Sequence, residues 1–108
     1  MDLKAPAKIN LFLKVVHRRA DGYHELISLM CGVGLYDRIN LRFDAGATGI
    51  SCSNAQVPDD ETNLALRAAL TYHRALQSAS GRNPAPVFIQ LTKKIPVGAG
   101  LGGGSSDA

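Results

Sequence analysis

Along residues 7–16 the polar positions Lys8, Asn10 and Lys14 alternate with apolar Ile9, Leu11, Leu13 and Val15. A repeat of two predicts a β-strand. Arg18-Arg19-Ala20-Asp21-Gly22 predicts a turn, with Gly22 free to take positive φ. Tyr23 to Leu35 predicts a second extended segment, interrupted at Gly32 and Gly34, where a bulge or a close backbone approach is expected. Asp37–Phe43 alternates again and predicts a third strand, and Ile50-Ser51-Cys52 a short fourth after the turn glycines 46 and 49. The period then changes. Leu66, Ala69, Leu70, His73 and Leu76 recur at helical spacing. The acidic run Asp59-Asp60-Glu61 before Thr62 or Asn63 reads as the start of that helix, and Gly81, Asn83, Pro84 and Pro86 close it. Val87–Leu91 is a further strand. The order of strands, one helix, a strand and then a loop leading to a helix is an α+β pattern.

Composition narrows the classes. The chain has 108 residues, 45% hydrophobic and 19% charged, as in an ordinary globular core of one domain at most. A disordered tail and a collagen-like repeat are excluded. No apolar run reaches the length of a membrane span, and the start lacks signal-peptide anatomy, which predicts a cytoplasmic protein with no membrane partner. The net charge of +3 is spread along the chain and there is no Trp, so nucleic acid is not an expected partner. Cys31 and Cys52 form no CxxC pair and read as reduced thiols. No His/Cys cluster has metal-ligand spacing, so no protein-bound structural metal is expected.

The candidate chemistry sits at the far end of the chain. The segment Pro96-Val97-Gly98-Ala99-Gly100-Leu101-Gly102-Gly103-Gly104-Ser105-Ser106-Asp107-Ala108 reads either as a loop running into a helix or as a flexible linker remnant. The anchors Pro96, Val97 and Leu101 favour the loop, with the Ser-Ser-Asp run as helix cap and the helix itself outside the sequence. A backbone free of side chains lets several N–H groups face one anion, and a helix dipole adds to the attraction. Ser105 and Ser106 can offer hydroxyls to phosphate oxygens or to phosphate-bound magnesium. The pattern is not a Walker A loop, because no Gly-Lys-Ser/Thr follows. The GxGxxG match at Gly98–Gly103 is weak evidence for a Rossmann unit, whose glycines follow the first strand.

Taken whole, Pro-x-x-x-Gly-Leu-Gly-x-x-Ser-Ser over residues 96–106 resembles the second motif of the galacto-, homoserine, mevalonate and phosphomevalonate kinase superfamily. Ala5-Pro6-Ala7-Lys8-Ile9-Asn10-Leu11-Phe12-Leu13 is similar to a first motif of that family. Arg19-Ala20-Asp21-Gly22-Tyr23-His24-Glu25-Leu26 and the triple glycine resemble one branch. That branch phosphorylates the 2-hydroxyl of a cytidine diphosphate-linked methylerythritol in non-mevalonate isoprenoid precursor synthesis. The resemblance implies an α+β fold like the ribosomal protein S5 domain 2-like N-terminal domain. Residues 1–108 would be the front part of that ATP- and substrate-binding domain, cut at the phosphate loop.

The resemblance also implies roles. Pro96, Val97, Gly98, Ala99, Gly100, Leu101, Gly102, Gly103, Gly104, Ser105 and Ser106 would wrap the phosphates of ATP, with Mg2+ arriving on the nucleotide. Lys8 would be catalytic, a fixed cation beside the transferring phosphoryl group. Asn10, on the same sheet face as Lys8, would position the acceptor hydroxyl. Tyr23 and His24 would hold the cytidine end of the small-molecule substrate by stacking and hydrogen bonding. Without the resemblance, Lys8 and Asn10 read as solvated strand residues, Tyr23 as core packing and His24 as a surface histidine. His73 reads as a partly buried structural histidine. Lys93 and Lys94 either line the nucleotide mouth or form a solvated pair. The hydroxyl's proton acceptor is expected beyond Ala108, with Asp107 at the start of the loop's helix. Hence residues 1–108 alone are expected to be inactive and to expose surfaces that the remaining chain covers. Two other readings are another small-molecule kinase of the same superfamily and a nucleotide- or anion-binding module without turnover.

Overall fold

The computed structural model describes residues 1–108. Strand β1 spans Asp2–Arg18, β2 His24–Arg42 and β3 Gly49–Cys52. Helix α1 spans Leu64–Ser80, β4 Phe88–Thr92 and α2 Gly103–Asp107. The sheet has four strands in the order β1-β2-β4-β3. β1 with β2 and β2 with β4 are antiparallel; β3 lies parallel to β4, which requires the crossover that α1 provides.

The segments expected at Tyr23–Leu35 and Asp37–Phe43 are one strand, β2, and the bulge expected at Gly32 and Gly34 lies within it. The pairing shifts there instead of ending: Pro6 faces Tyr36 and Lys8 faces Gly32. A bulge absorbs the extra residues of β2 and lets the ladder resume. The Arg18–Gly22 turn forms as expected. Gly22 has φ of 88°, and the Arg19 and Tyr23 backbones pair across it.

Helix α1 begins at Asn63, whose Oδ1 accepts the Ala65 N–H at 2.9 Å. The Asn63 side-chain amide donates to the Pro58 carbonyl at 2.7 Å, so the cap also fixes the preceding loop. Thr62 is not the cap; its N–H and hydroxyl bind Asp60. No acidic residue lies in the first turn, so the acidic run sets a turn and does not complement the helix dipole. The helix stops at Gly81, in the left-handed region with φ of 65°, as its role of closing residue demands.

The core is small. Ala65 and Leu66 of α1, with partly buried Ala69 and Leu70, pack on Ala5, Ile39, Ile50, Ile89 and Leu91. β4 pairs only with residues 38–42 of β2. The rest of the β1–β2 hairpin therefore stands alone as a two-stranded ribbon. Ile9, Leu11, Phe12, Leu13, Val15, Leu26, Ile27, Leu29 and Met30 are all exposed on it. No helix is long and apolar enough to cross a membrane.

Candidate functional site

The glycine-rich segment is a folded loop. Gly98, Gly100 and Gly102 have φ of 72°, 71° and 70°, while no non-glycine residue of the chain has positive φ. Glycine at every second position thus follows from the backbone: alternating the sign of φ turns successive N–H groups toward one side, a concavity suited to an anion. The loop borders a cavity of about 400 Å³ whose lining includes every residue from Pro96 to Ser105. The loop from β3 to α1 forms the opposite wall, with Pro58 and Asn63.

Ser106 does not line this cavity; its N–H donates to the Gly102 carbonyl at 3.0 Å within α2. The helix expected after the loop starts earlier than the sequence suggested. Gly102 is its N-cap, without a side-chain cap, and Ser105 and Ser106 lie inside it. The first-turn N–H groups at Gly103, Gly104 and Ser105 consequently lack intrahelical acceptors. With five residues of α2, the loop backbone carries the attraction for an anion more than any helix dipole.

Lys8 is built into the loop from outside. Its backbone N–H donates to the Leu101 carbonyl at 2.9 Å, so β1 holds the loop as a sheet neighbour would. Its ammonium donates to the Gly100 carbonyl and to Asn10 Oδ1, each at 3.0 Å. The Asn10 amide in turn donates to Ser28 Oγ at 3.2 Å, and Ser28 is fixed by the Phe12 carbonyl. Lys8 and Asn10 are therefore brought together with the loop. An ammonium has three donors, so one remains for a further acceptor.

Tyr23 and His24 lie at the other end of the hairpin. At about 3.3 Å per residue, the strand from Asn10 to Arg18, which faces His24, covers roughly 26 Å. The Tyr23 side chain is exposed rather than packed in the core, and His24 is exposed too. Both are presented by a stiff turn: Asp21 accepts the Tyr23 N–H at 3.1 Å and pairs with Arg19 at 2.7 Å. His73 is partly buried, as its helix face predicts, and His17 pairs with Glu25 on the ribbon surface.

Beside the loop lies a cluster that the sequence did not disclose. Lys93 is not a solvated lysine. Its side chain is 5% exposed, and its ammonium is shared between Asp37 Oδ2 and Asp107 Oδ2, the latter at 2.8 Å. Asp37 Oδ1 also accepts the backbone N–H groups of Lys94 and Ile95. Lys94 itself faces solvent. Burial opposes the charge on Asp37, yet donation from Lys93, Ile95 and Lys94 holds its carboxyl below the usual range. Asp107 is pushed up, first by burial; the Lys93 ammonium opposes the rise, and the neighbouring Asp37 carboxylate adds to it. The same two carboxylates hold the Lys93 ammonium above its usual value against its own desolvation. No signal local to Lys93 could have shown this, since Asp37 lies 56 residues away.

Comparison with known proteins agrees with this geometry. Residues 63–108 match the GHMP kinases N terminal domain. A 4-diphosphocytidyl-2-C-methyl-D-erythritol kinase of Desulfotalea psychrophila is 52% identical over all of this chain and 36% of its own length. One of Shouchella clausii is 48% identical over 98% of this chain and 34% of its own length. A crystal structure of 4-(cytidine 5'-diphospho)-2C-methyl-D-erythritol kinase superposes with a TM-score of 0.75 at 46% identity, covering all of this chain and 37% of that one. Homoserine kinase from Cytophaga hutchinsonii, at 22% identity, shares the fold with a TM-score of 0.65 over 98% of this chain and 31% of that one. The chain thus spans about a third of the length of the relatives it matches. With the α+β fold, the glycine loop and identity of this order along its whole length, the chain belongs to the GHMP kinase family.

Proposed function

We propose that the protein carrying this chain transfers the γ-phosphoryl group of ATP to the 2-hydroxyl of 4-diphosphocytidyl-2-C-methyl-D-erythritol, a step of non-mevalonate isoprenoid precursor synthesis in the cytoplasm. The observation that carries this reading is the seating of Lys8: one ammonium tied to Gly100 of the loop and to Asn10 of β1. A cation at that junction touches both sides of a phosphoryl transfer. The loop backbone and the Ser105 hydroxyl receive the nucleotide phosphates and their Mg2+, which neutralises charge on the phosphate oxygens. Lys8 uses its remaining donor on the transferring group, where negative charge spreads over the oxygens. Asn10, oriented by Ser28, fixes the acceptor hydroxyl in line.

Both carboxylates near the loop, Asp37 and Asp107, are committed to Lys93. Each is held by the Lys93 ammonium as part of the structure beside the loop, and this reading assigns the hydroxyl proton to sequence outside residues 1–108. Tyr23 and His24 hold the cytosine ring on the ribbon turn, which makes the nucleotide end of the acceptor a recognition handle. The names of the relatives support the acceptor; the stiff, exposed Tyr23-His24 turn supports a binding role for these side chains.

The test is acceptor discrimination by the full-length gene product. ADP release with ATP is compared for the cytidylyl acceptor, mevalonate and homoserine. Turnover with the first alone is expected. Turnover with another acceptor moves the protein to a different small-molecule kinase, and nucleotide binding without any turnover leaves a binding module.

A further inference from the structure

We propose that Asp37, Lys93 and Asp107 form a clasp that holds the glycine loop in its anion-receiving shape, with Asp37 as a positioning residue for the loop. The proposal rests on the reading of this loop as the ATP phosphate site. The clasp joins both ends of the loop. At its start, Asp37 Oδ1 accepts the N–H groups of Lys94 and Ile95, the latter at 2.8 Å. At its end, Lys93 donates to Asp107 Oδ2 at 2.8 Å, closing a ring over 14 residues of sequence. Asp37 Oδ2 accepts from the same ammonium. Strand β2 thereby fixes where the loop leaves the sheet and where it returns.

Packing at Gly103 gives independent support. A methyl group on Gly103 would approach Ile95 Cγ2 to 3.0 Å and Lys93 Nζ to 3.2 Å. The end of the loop is pressed against its start, with no room for a side chain between them. The loop needs such a device, because glycines at positive φ have many other conformations open to them. Its own contacts are few: residues 96–100 are exposed.

The trio is poorly suited to stabilising the fold in general. Two buried carboxylates share one ammonium, and Asp107 Oδ1 has no hydrogen-bond partner. Apolar residues of similar size commonly serve a core as well or better. What apolar residues cannot do is receive two specified backbone N–H groups and a side chain arriving from the far end of the loop. The arrangement fits a requirement for loop geometry.

The experiment uses the full-length gene product with Asp37→Asn, and Asp107→Asn as a milder change that leaves the Asp37 contacts intact. Three quantities are read: affinity for ATP, affinity for adenosine, and hydrogen exchange of the amides in residues 98–105 and in α1. For both variants, ATP affinity should fall about 10-fold or more, with adenosine affinity within about twofold of the parent. Loop amides should exchange faster by a similar factor while α1 amides keep their protection. Equal losses for ATP and adenosine, or faster exchange throughout α1, would show a merely structural role and overturn the clasp. Unchanged loop exchange and unchanged ATP affinity in both variants overturn it too. If the parent protein binds no ATP, the nucleotide reading fails, and the loop-exchange comparison still decides the clasp.

Discussion

The stem of Lys8 lies flat against Gly102. A methyl group at Gly102 would meet Lys8 Cγ and Cε at 3.1 Å, and Gly102 already sits at φ of 70°. Strand β1 and the glycine loop are therefore fitted to each other through one side chain and one missing side chain. Gly102→Ala should cost about 1–2 kcal/mol for the left-handed backbone alone. The added methyl should also displace the Lys8 ammonium. Urea unfolding together with ATP-dependent turnover checks both; turnover equal to the parent would contradict the fit.

Lys8→Met keeps the stem and removes the charge. Its expected effect is a loss of roughly 10²–10³-fold in kcat, the scale seen when one preorganised donor is removed from a developing charge. KM for both substrates should change little. Stability should stay within about 0.5 kcal/mol, since the ammonium is not buried. A variant that loses only substrate affinity would reassign Lys8 to binding.

Tyr23→Ala and His24→Ala should separate the two ends of the acceptor. Stacking of a base on an aromatic ring is worth about 1–3 kcal/mol. KM for the cytidylyl acceptor should rise accordingly for Tyr23→Ala, while KM for ATP stays put. Both side chains are exposed, so the melting temperature should be unchanged. An unchanged acceptor KM in both variants removes the ribbon turn from the site.

The clasp should leave a signature in the pH dependence of folding. The Asp37 carboxyl is held low, so its stabilisation is present above the unfolded value of 3.8 and fades as pH falls below it. Asp107 is pushed up from the same value, chiefly by burial. Its folded form gains most when protonated, and that gain is lost as pH rises above 3.8 through the raised value. Lys93 is held above 10.5, so its contribution survives until alkaline pH. Asp107→Asn removes the middle effect. Relative to the parent, it should become more favourable as pH is raised from 4 to 7 in urea titrations, and a flat difference would contradict the sign.

Asn63→Ala should destabilise the fold by about 0.5–2 kcal/mol, the usual range for an N-cap. It removes the acceptor for Ala65 and the donor to Pro58 together. Thr62→Ala should do less, because Thr62 does not cap the helix. Thermal unfolding of the two variants in parallel checks the order.

What could be seen in the sequence was what local chemistry decides. Asn63 and Gly81 delimit α1 because a capping amide and a left-handed glycine act within a few residues of where they stand. Gly22 and the loop glycines were legible for the same reason. The motif residues also pointed to Lys8 and Asn10, and the fold joins them to the loop. Long-range decisions were not visible. Tyr23–Leu35 and Asp37–Phe43 read as two strands, but pairing with β1 joins them into β2, with the expected bulge at Gly32 and Gly34. Ser105 and Ser106 read as caps, yet Gly102 starts α2 because its φ suits the end of the loop. Lys93 and Lys94 look alike in sequence, and only the fold brings Asp37 and Asp107 to the first of them.

The most direct measurement is phosphorus NMR of the full-length gene product turning over ATP with 4-diphosphocytidyl-2-C-methyl-D-erythritol. The account predicts a new phosphomonoester on the 2-hydroxyl, formed in step with ADP, with the diphosphate bridge intact. ADP formed with inorganic phosphate and no new ester, or an ester on a different hydroxyl, would contradict it.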